Sequence, residues 1–256
     1  MLPVLRMPIA GREESFVIDT GSDAGLHVTD AFRRRMGGQL VPEGVSRSRD
    51  LAGQVNEART FRMAPVDIGG LRFPAARIVE LKPWGLRLSG DAPSEPPERM
   101  VMGRGFLQGK ALLLALRSGR AEIMEGGAAR PHLDLAGWRR VAMVDSDEGP
   151  VIAVRSAERV LHLVVDTAAT VPVVKRDSVS GLLEASCARL LDGLADDDCA
   201  TAPLTVGPDD AALGFDAMVV DTDLGGFGAD GVLGGSFLTT HDVLIDFQAE
   251  ELYVSP

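Results

Sequence analysis

The hydrophobic residues of this chain fall in short runs that glycine, proline and polar turns separate. Runs such as RFPAARIVEL at 72–81 and FDAMVVDT at 215–222 have the length of strands. The best helix candidates are Asp30–Met36 and residues 179–194, in which leucines recur at helical spacing. The pattern therefore predicts an all-β protein with a few short helices.

One of these apolar runs ends on an acid. Residues 16–29 read FVIDTGSDAGLHVT, so that a buried strand is followed by Asp19 and by a turn in which Gly21 supplies backbone freedom. A carboxylate at such a point lies at the floor of a cleft or is buried at a cost. Because Asp-Thr-Gly occurs by chance in many turns, this stretch alone predicts only a strand that ends in a turn.

The chain contains a second version of this stretch, LVVDTAATVPVV at 163–174. Asp166 lies 147 positions after Asp19, and at this offset the segments that begin at Val4 and Val151 align without a gap. Both segments have the order strand, polar turn, strand, acid. The match therefore extends well beyond the acid loops themselves.

Another pair of segments repeats in the same order along the chain. VMGRGFLQGKALLLAL at 101–116 aligns with VLGGSFLTTHDVLIDF at 232–247 at an offset of 131 positions. Internal repeats decide the architecture, and the difference between the two offsets is loop length. We therefore expect two similar β-rich lobes related by an internal pseudo-twofold, one over residues 1–128 and one over residues 129–256.

Together these four segments resemble the aspartic peptidases, with their pepsin-like and retropepsin-like branches. In that family each lobe carries an apolar-apolar-Asp-Thr-Gly-Ser/Thr/Ala loop. A later apolar-apolar-Gly segment packs against it, matched here by residues 101–103 and 232–234. The resemblance covers nearly the whole chain. It implies the acid-protease fold, with two lobes fused in one compact chain, so that a monomer is sufficient for a complete site.

The resemblance implies that Asp19 and Asp166 form a catalytic dyad. Two facing carboxyl groups cannot both ionise easily and share one proton, an arrangement of which aspartic proteases are the known example. The ionised acid would activate a water, while the protonated acid would polarise the scissile carbonyl and later protonate the leaving amine. The chain is thus expected to be an aspartic endopeptidase, a specific processing enzyme for peptide or protein substrates, without metal or cofactor.

The residues that follow each acid are expected to support the dyad, Gly21 among them. Thr20 and Thr167 match family threonines that exchange hydrogen bonds across the lobe interface. The Ser22 hydroxyl can donate to the Asp19 carboxylate and bias which acid keeps the proton.

In the family a hairpin from the first lobe folds over the cleft as a flap. We assign the tip of this flap to Gly53, and substrate contacts to Leu51, Ala52 and Gly53. Tyr253 is the only tyrosine of the chain, so the flap tyrosine of the pepsin-like branch is absent. Retropepsin-like flaps use glycine instead.

The second acid loop departs from the family pattern. Ala168 stands where the family has glycine, and Ala169 stands where it has Ser or Thr. The methyl group of Ala168 either suits the local backbone or signals an altered cleft. Three readings stay open: a working peptidase, a catalytically silent protein of the same fold that binds peptide, and a purely structural repeat. Both acids and both threonines are retained, which favours the peptidase because a scaffold needs no buried charge.

Composition argues against other classes of protein. The net charge of −11 disfavours binding to nucleic acid or to an anionic membrane. No apolar run approaches the length of a transmembrane helix. Because the repeat begins at Val4, no room is left for a signal peptide or a prosegment, and we expect a cytoplasmic protein. A periplasmic or secreted location applies if a signal peptide has been removed.

The cysteines and histidines offer no metal site. Cys187 and Cys199 would pair in an oxidising compartment or remain thiols in the cytosol. The histidines have neither zinc-ligand spacing nor a nucleophile partner, and they are expected to be surface or structural residues: His27, His132, His162 and His241.

Overall fold

The structure is a computed structural model of the chain. It describes residues 2–9, 11–49, 55–82, 99–127, 132–180, 183–184, 200–208, 212–221, 224 and 226–256. Strands dominate these residues, and the helices are few and short. The all-β prediction is therefore confirmed.

The secondary structure follows the short apolar runs. In the first half the strands are β1 (Val4–Ile9), β2 (Arg12–Asp19), β3 (Leu26–Val28), β4 (Leu40–Arg49), β5 (Val55–Met63), β6 (Val66–Ile68), β7 (Leu71–Phe73), β8 (Ala76–Glu80), β9 (Met100–Gly103), β10 (Lys110–Ala115) and β11 (Arg120–Glu125). In the second half they are β12 (Arg139–Ser146), β13 (Gly149–Ser156), β14 (Arg159–Val165), β15 (Val173–Lys175), β16 (Leu183–Glu184), β17 (Ala200–Val206), β18 (Leu213–Val220), β19 (Gly231–Leu233), β20 (Val243–Asp246) and β21 (Glu251–Val254). The helices are α1 (Asp30–Met36) and α2 (Gly235–Thr240), with 3₁₀ turns at Gly37–Gln39, Arg104–Phe106, Leu116–Ser118 and Arg176–Ser178.

The strand order of the first half recurs in the second half. The first sheet has the order β1-β2-β9-β3-β8-β5-β4, and the second contains the run β13-β14-β19-β15-β18-β17-β16, with corresponding strands in corresponding places. The pairs β2–β9 and β3–β8 are parallel, as are β14–β19 and β15–β18. The other neighbours in both runs are antiparallel. A further pairing of β13 with β17 closes the second run into a six-stranded barrel.

β6 and β7 form a separate two-stranded sheet. The other remaining strands join the two halves in one sheet, in the order β11-β10-β20-β21-β12. β10 and β20 are buried along their whole length and pair antiparallel, with Leu113 opposite Leu244. These two leucines are equivalent to each other at the offset of 131 positions. Equivalent residues that pair antiparallel define a local twofold axis between the strands.

Helix α1 occupies the residues that the sequence predicts. The Thr29 hydroxyl caps it by accepting the backbone N–H of Phe32 over 3.2 Å. Phe32 and Met36 lie on its buried face and pack into the main core. The helix ends at Gly37, whose φ of 52° suits glycine.

The helix predicted over 179–194 is wrong at the residues described. Leu183 and Glu184 form strand β16, which pairs antiparallel with β17. Pairing to an existing sheet edge overrides the helical spacing of the leucines, because intrinsic propensity is a weak prior. Residues 181–182 and 185–194 lie outside the described residues, as do both cysteines.

The predicted flap region contains a long hairpin formed by β4 and β5, which pair from Leu40 opposite Met63 to Arg49 opposite Val55. Its turn, which contains Leu51, Ala52 and Gly53, lies outside the described residues. The assignment of these three residues to substrate binding therefore stays a prediction.

Candidate active site

The two acids lie at the ends of equivalent strands. Asp19 is the last residue of β2, and Asp166 directly follows β14. Each of these strands has a parallel neighbour, β9 and β19 respectively. Both acids therefore lie where a pair of parallel strands opens into a turn.

A symmetric set of hydrogen bonds joins the two acid loops. The backbone N–H of Thr20 donates to Thr167 Oγ1 over 3.1 Å, and the N–H of Thr167 donates to Thr20 Oγ1 over 3.1 Å. The Thr20 hydroxyl donates to the carbonyl of Val165 at 2.5 Å, and the Thr167 hydroxyl donates to that of Ile18 at 2.7 Å. Both threonines are fully buried. The exchange predicted for them is present, and it holds together two loops that are 147 residues apart.

Both carboxyl groups converge on the backbone of Gly21. A Cβ atom at this position would lie 3.0 Å from Asp166 Cγ and 3.3 Å from Asp19 Oδ1. Its φ is not in the left-handed region. The sequence interpretation is thus corrected: the feature of this position is the tight space that the two acids leave, rather than backbone freedom.

Backbone N–H groups orient each carboxylate. Ser22 N–H donates to Asp19 Oδ1 over 3.1 Å. On the other side, the N–H groups of Ala168 and Ala169 donate to Asp166 Oδ1 over 2.8 and 3.2 Å. Ala168 therefore retains the hydrogen bond that the acid loop requires, despite its extra methyl group.

The electrostatics of the pair favour a single shared proton. Burial among protein atoms raises the pKa of Asp19 to about 8, and the negative charge of Asp166 is the second cause. Burial also raises the pKa of Asp166, opposed by the N–H groups of Ala168 and Ala169 and by a hydrogen bond from Asp19. At neutral pH the pair therefore holds one proton, and the two N–H groups that donate to Asp166 favour the ionised form of that acid.

The two apolar-apolar-Gly segments pack tightly against the acid loops. A Cβ on Gly103 would lie 2.3 Å from the carbonyl oxygen of Ala24, and one on Gly234 would lie 2.3 Å from that of Val171. Ala24 and Val171 are equivalent in the repeat. Only glycine allows this approach of one backbone to another.

We expect Gly103→Ala and Gly234→Ala each to lower the free energy of unfolding by about 1–3 kcal/mol, because the new methyl group overlaps a backbone carbonyl. Urea unfolding followed by fluorescence measures the change. Gly214→Ala in β18 is the matched control, since its Cβ would meet nothing within 4 Å. An equal loss of stability in all three variants would contradict the packing explanation.

Arg104 is a residue near the site that sequence reasoning missed. Its side chain is 11% exposed, and its guanidinium donates to the carbonyl of Gly21 over 3.2 Å. It also donates to the carbonyls of Ser146 and Asp147 over 2.9 and 3.0 Å. Arg104 thus ties the first acid loop to the hairpin between β12 and β13. Its counterpart in the repeat is Gly235. An alignment of the two halves therefore marks Arg104 as a charged residue that only the first half has.

The hydroxyl of Ser22 does not play its predicted part. It lies 2.8 Å from Nε2 of His27, and among the described residues it forms no hydrogen bond with Asp19. His27, which was expected to be a surface or structural residue, is half-buried in β3. Burial lowers the pKa of His27 to about 4.

In the part of the chain that the structure describes, no group of three or more His, Cys, Asp or Glu side chains is arranged to hold a metal ion. No helix within the same residues has the length and apolar character needed to cross a membrane.

Comparison with known proteins adds no assignment. No protein-family model matches the chain, and no curated protein matches its sequence. Any functional conclusion therefore depends on the geometry of the two acid loops.

Proposed function

We propose that this protein is an aspartic endopeptidase in which Asp19 and Asp166 activate a water molecule. The observation that carries the proposal is the reciprocal hydrogen bonding of Thr20 and Thr167, which brings two equivalent acids to one point. A buried pair of like charges costs free energy, and a purely structural contact would be more stable without it.

The proposed architecture is the two-lobed acid-protease fold, with lobes over residues 1–128 and 129–256. Two observations support it. The strand order and pairing senses of the first half recur in the second half. The antiparallel pairing of Leu113 with its repeat equivalent Leu244 supports a twofold relation between the halves. With both acids in one chain, a monomer is sufficient for a complete site.

In the proposed mechanism the two acids have different roles because their protonation states differ. Asp166, the ionised partner, takes a proton from the water as the water oxygen attacks the scissile carbonyl carbon. Asp19 donates a hydrogen bond to the carbonyl oxygen and stabilises the charge that develops there. The acids then deliver a proton to the leaving amine nitrogen as the C–N bond breaks, and the pair returns to its shared-proton state.

A catalytically silent peptide-binding protein is the second candidate, and Ala168 is the observation that favours it. Ala168 stands at the position equivalent to Gly21, where a Cβ would lie 3.0 Å from the carboxyl group of Asp166. If the repeat is symmetric here, the methyl group of Ala168 crowds the two acids between which the water would bind. Peptide binding would then persist without hydrolysis.

The test is cleavage of a mixed peptide library between about pH 3 and pH 8, with and without a statine-type transition-state mimic. The Asp19→Asn/Asp166→Asn double variant provides the background. We expect cuts that the mimic suppresses and that the double variant lacks. Binding of the mimic without cleavage would favour the silent peptide-binding protein. The absence of both binding and cleavage would favour a purely structural repeat.

A further inference from the structure

The internal repeat makes each acid loop a reference for the other. The backbone hydrogen bonds agree: Ser22 N–H contacts the acid of its loop at 3.1 Å, and Ala169 N–H contacts that of the second loop at 3.2 Å. The side chains differ. Ser22 is matched by Ala169, and His27 is matched by Val174, which is fully buried. The Ser22–His27 pair is therefore present on one side of the dyad, and the repeat replaces both of its members on the other.

The tautomer of His27 decides where the hydroxyl hydrogen of Ser22 points, because Nε2 accepts that hydrogen only when the ring proton is on Nδ1. Ser22 Oγ lies 2.8 Å from His27 Nε2. The charged groups that act on His27 are Asp23 on the preceding loop and Arg77 on β8, which form an ion pair with each other. With these two charges opposed, burial dominates and the ring is neutral near pH 7. A neutral ring has one bare nitrogen, and Nε2 can accept the hydroxyl hydrogen.

We propose that His27 is a positioning residue of the dyad: by accepting the Ser22 hydroxyl hydrogen, it withholds this donor from Asp19 and keeps the shared proton on that acid. The proposal rests on the proposed function for its consequence in catalysis. Ser22 already contacts Asp19 through its backbone N–H. The hydroxyl that contacts His27 therefore belongs to a residue that already contacts this carboxyl group.

The physical consequence follows from how hydrogen bonds act on a carboxyl group. A donor to the carboxylate favours its ionised form, so a hydroxyl aimed at Asp19 would lower the pKa of that acid. The proton would then move toward Asp166. With the hydroxyl held by His27, Asp19 stays the protonated partner, which is the role that polarises the scissile carbonyl.

Carbon-13 NMR titration of the aspartate carboxyl groups tests this in the full chain. In His27→Val, which copies Val174 of the repeat, the hydroxyl is released and the pKa of Asp19 should fall by about one unit, the size expected for one hydrogen bond to a charged group. Ser22→Ala and the double variant should both stay near the wild-type value. His27→Gln, whose amide oxygen can accept the same hydroxyl, should also stay near it.

Two outcomes would overturn the proposal. One is an unchanged Asp19 titration in His27→Val, and the other is a shift in the double variant as large as that in His27→Val, which would indicate repacking. The titration needs no turnover, so an absence of peptide cleavage would count against the proposed peptidase activity alone. If the protein cleaves peptides, the basic limb of the pH profile should move to lower pH by the same amount in His27→Val.

Discussion

Asp19→Asn and Asp166→Asn are each expected to abolish peptide cleavage across the whole pH range, a loss of roughly a thousandfold or more in kcat/KM. An amide at position 166 cannot take the proton of the water. An amide at position 19 cannot share a proton with its partner. The measurement is kcat/KM for the best peptide of the library, with purified variants whose circular dichroism matches that of the wild type.

Asp19→Asn should also change the stability of the fold in a pH-dependent way. The folded-state pKa of Asp19 is about 8, above the value of about 4 of an ordinary aspartate. Between these values the folded state holds a proton that the unfolded state has released, so the contribution of Asp19 to wild-type stability is fully present below about pH 4 and is lost as pH rises through 8. Asp19→Asn needs no such proton. Its Tm should therefore decline less over this window and exceed that of the wild type near pH 8.

Asp216→Asn is the matched control, because Asp216 is exposed on β18 and distant in sequence from both acid loops. It should leave both cleavage and the pH dependence of Tm unchanged. Retained cleavage in either dyad variant would contradict the proposed mechanism. A Tm slope that is identical in the wild type and in Asp19→Asn would contradict the shared proton.

The parts of the site that the sequence predicts are those that the repeat encodes residue by residue. Thr20 and Thr167 occupy equivalent positions, and a symmetric exchange between them needs no knowledge of side-chain rotamers. The same holds for Gly103 and Gly234, whose close packing against the acid loops depends on backbone alone. Repeated positions constrain each other, so the sequence specifies them twice.

The features that escaped prediction are those without a counterpart in the repeat. The contact of Ser22 with His27 depends on a rotamer, and that of Arg104 with the hairpin depends on how β12 and β13 are placed. Strand β16 escaped for another reason. Leu183 belongs to a run of leucines with helical spacing, and only the edge offered by β17 makes it part of a strand. Local pattern carries no information about such tertiary partners.

Thr20→Val and Thr167→Val are expected to produce the largest losses of stability, about 3 kcal/mol of unfolding free energy each. Valine retains the shape of threonine but removes its hydroxyl. In Thr20→Val the buried N–H of Thr167 loses its acceptor and the carbonyl of Val165 loses its donor. Two unsatisfied backbone groups are thus buried at once.

Urea unfolding of both single variants and of the double variant measures the effect and its coupling. The two substitutions disrupt one network, so their losses should not add, with a coupling energy of about 0.5–3 kcal/mol. Ser156→Ala is the control, because Ser156 is buried but its Oγ has no hydrogen-bond partner among the described residues. Its removal should be neutral or stabilising. Additive losses would contradict a single network. A loss near zero in Thr20→Val, or a loss no larger than that in Ser156→Ala, would show that the threonines only fill space. The acids would then be held together by the shared sheet of β10 and β20 rather than by the loops that carry them.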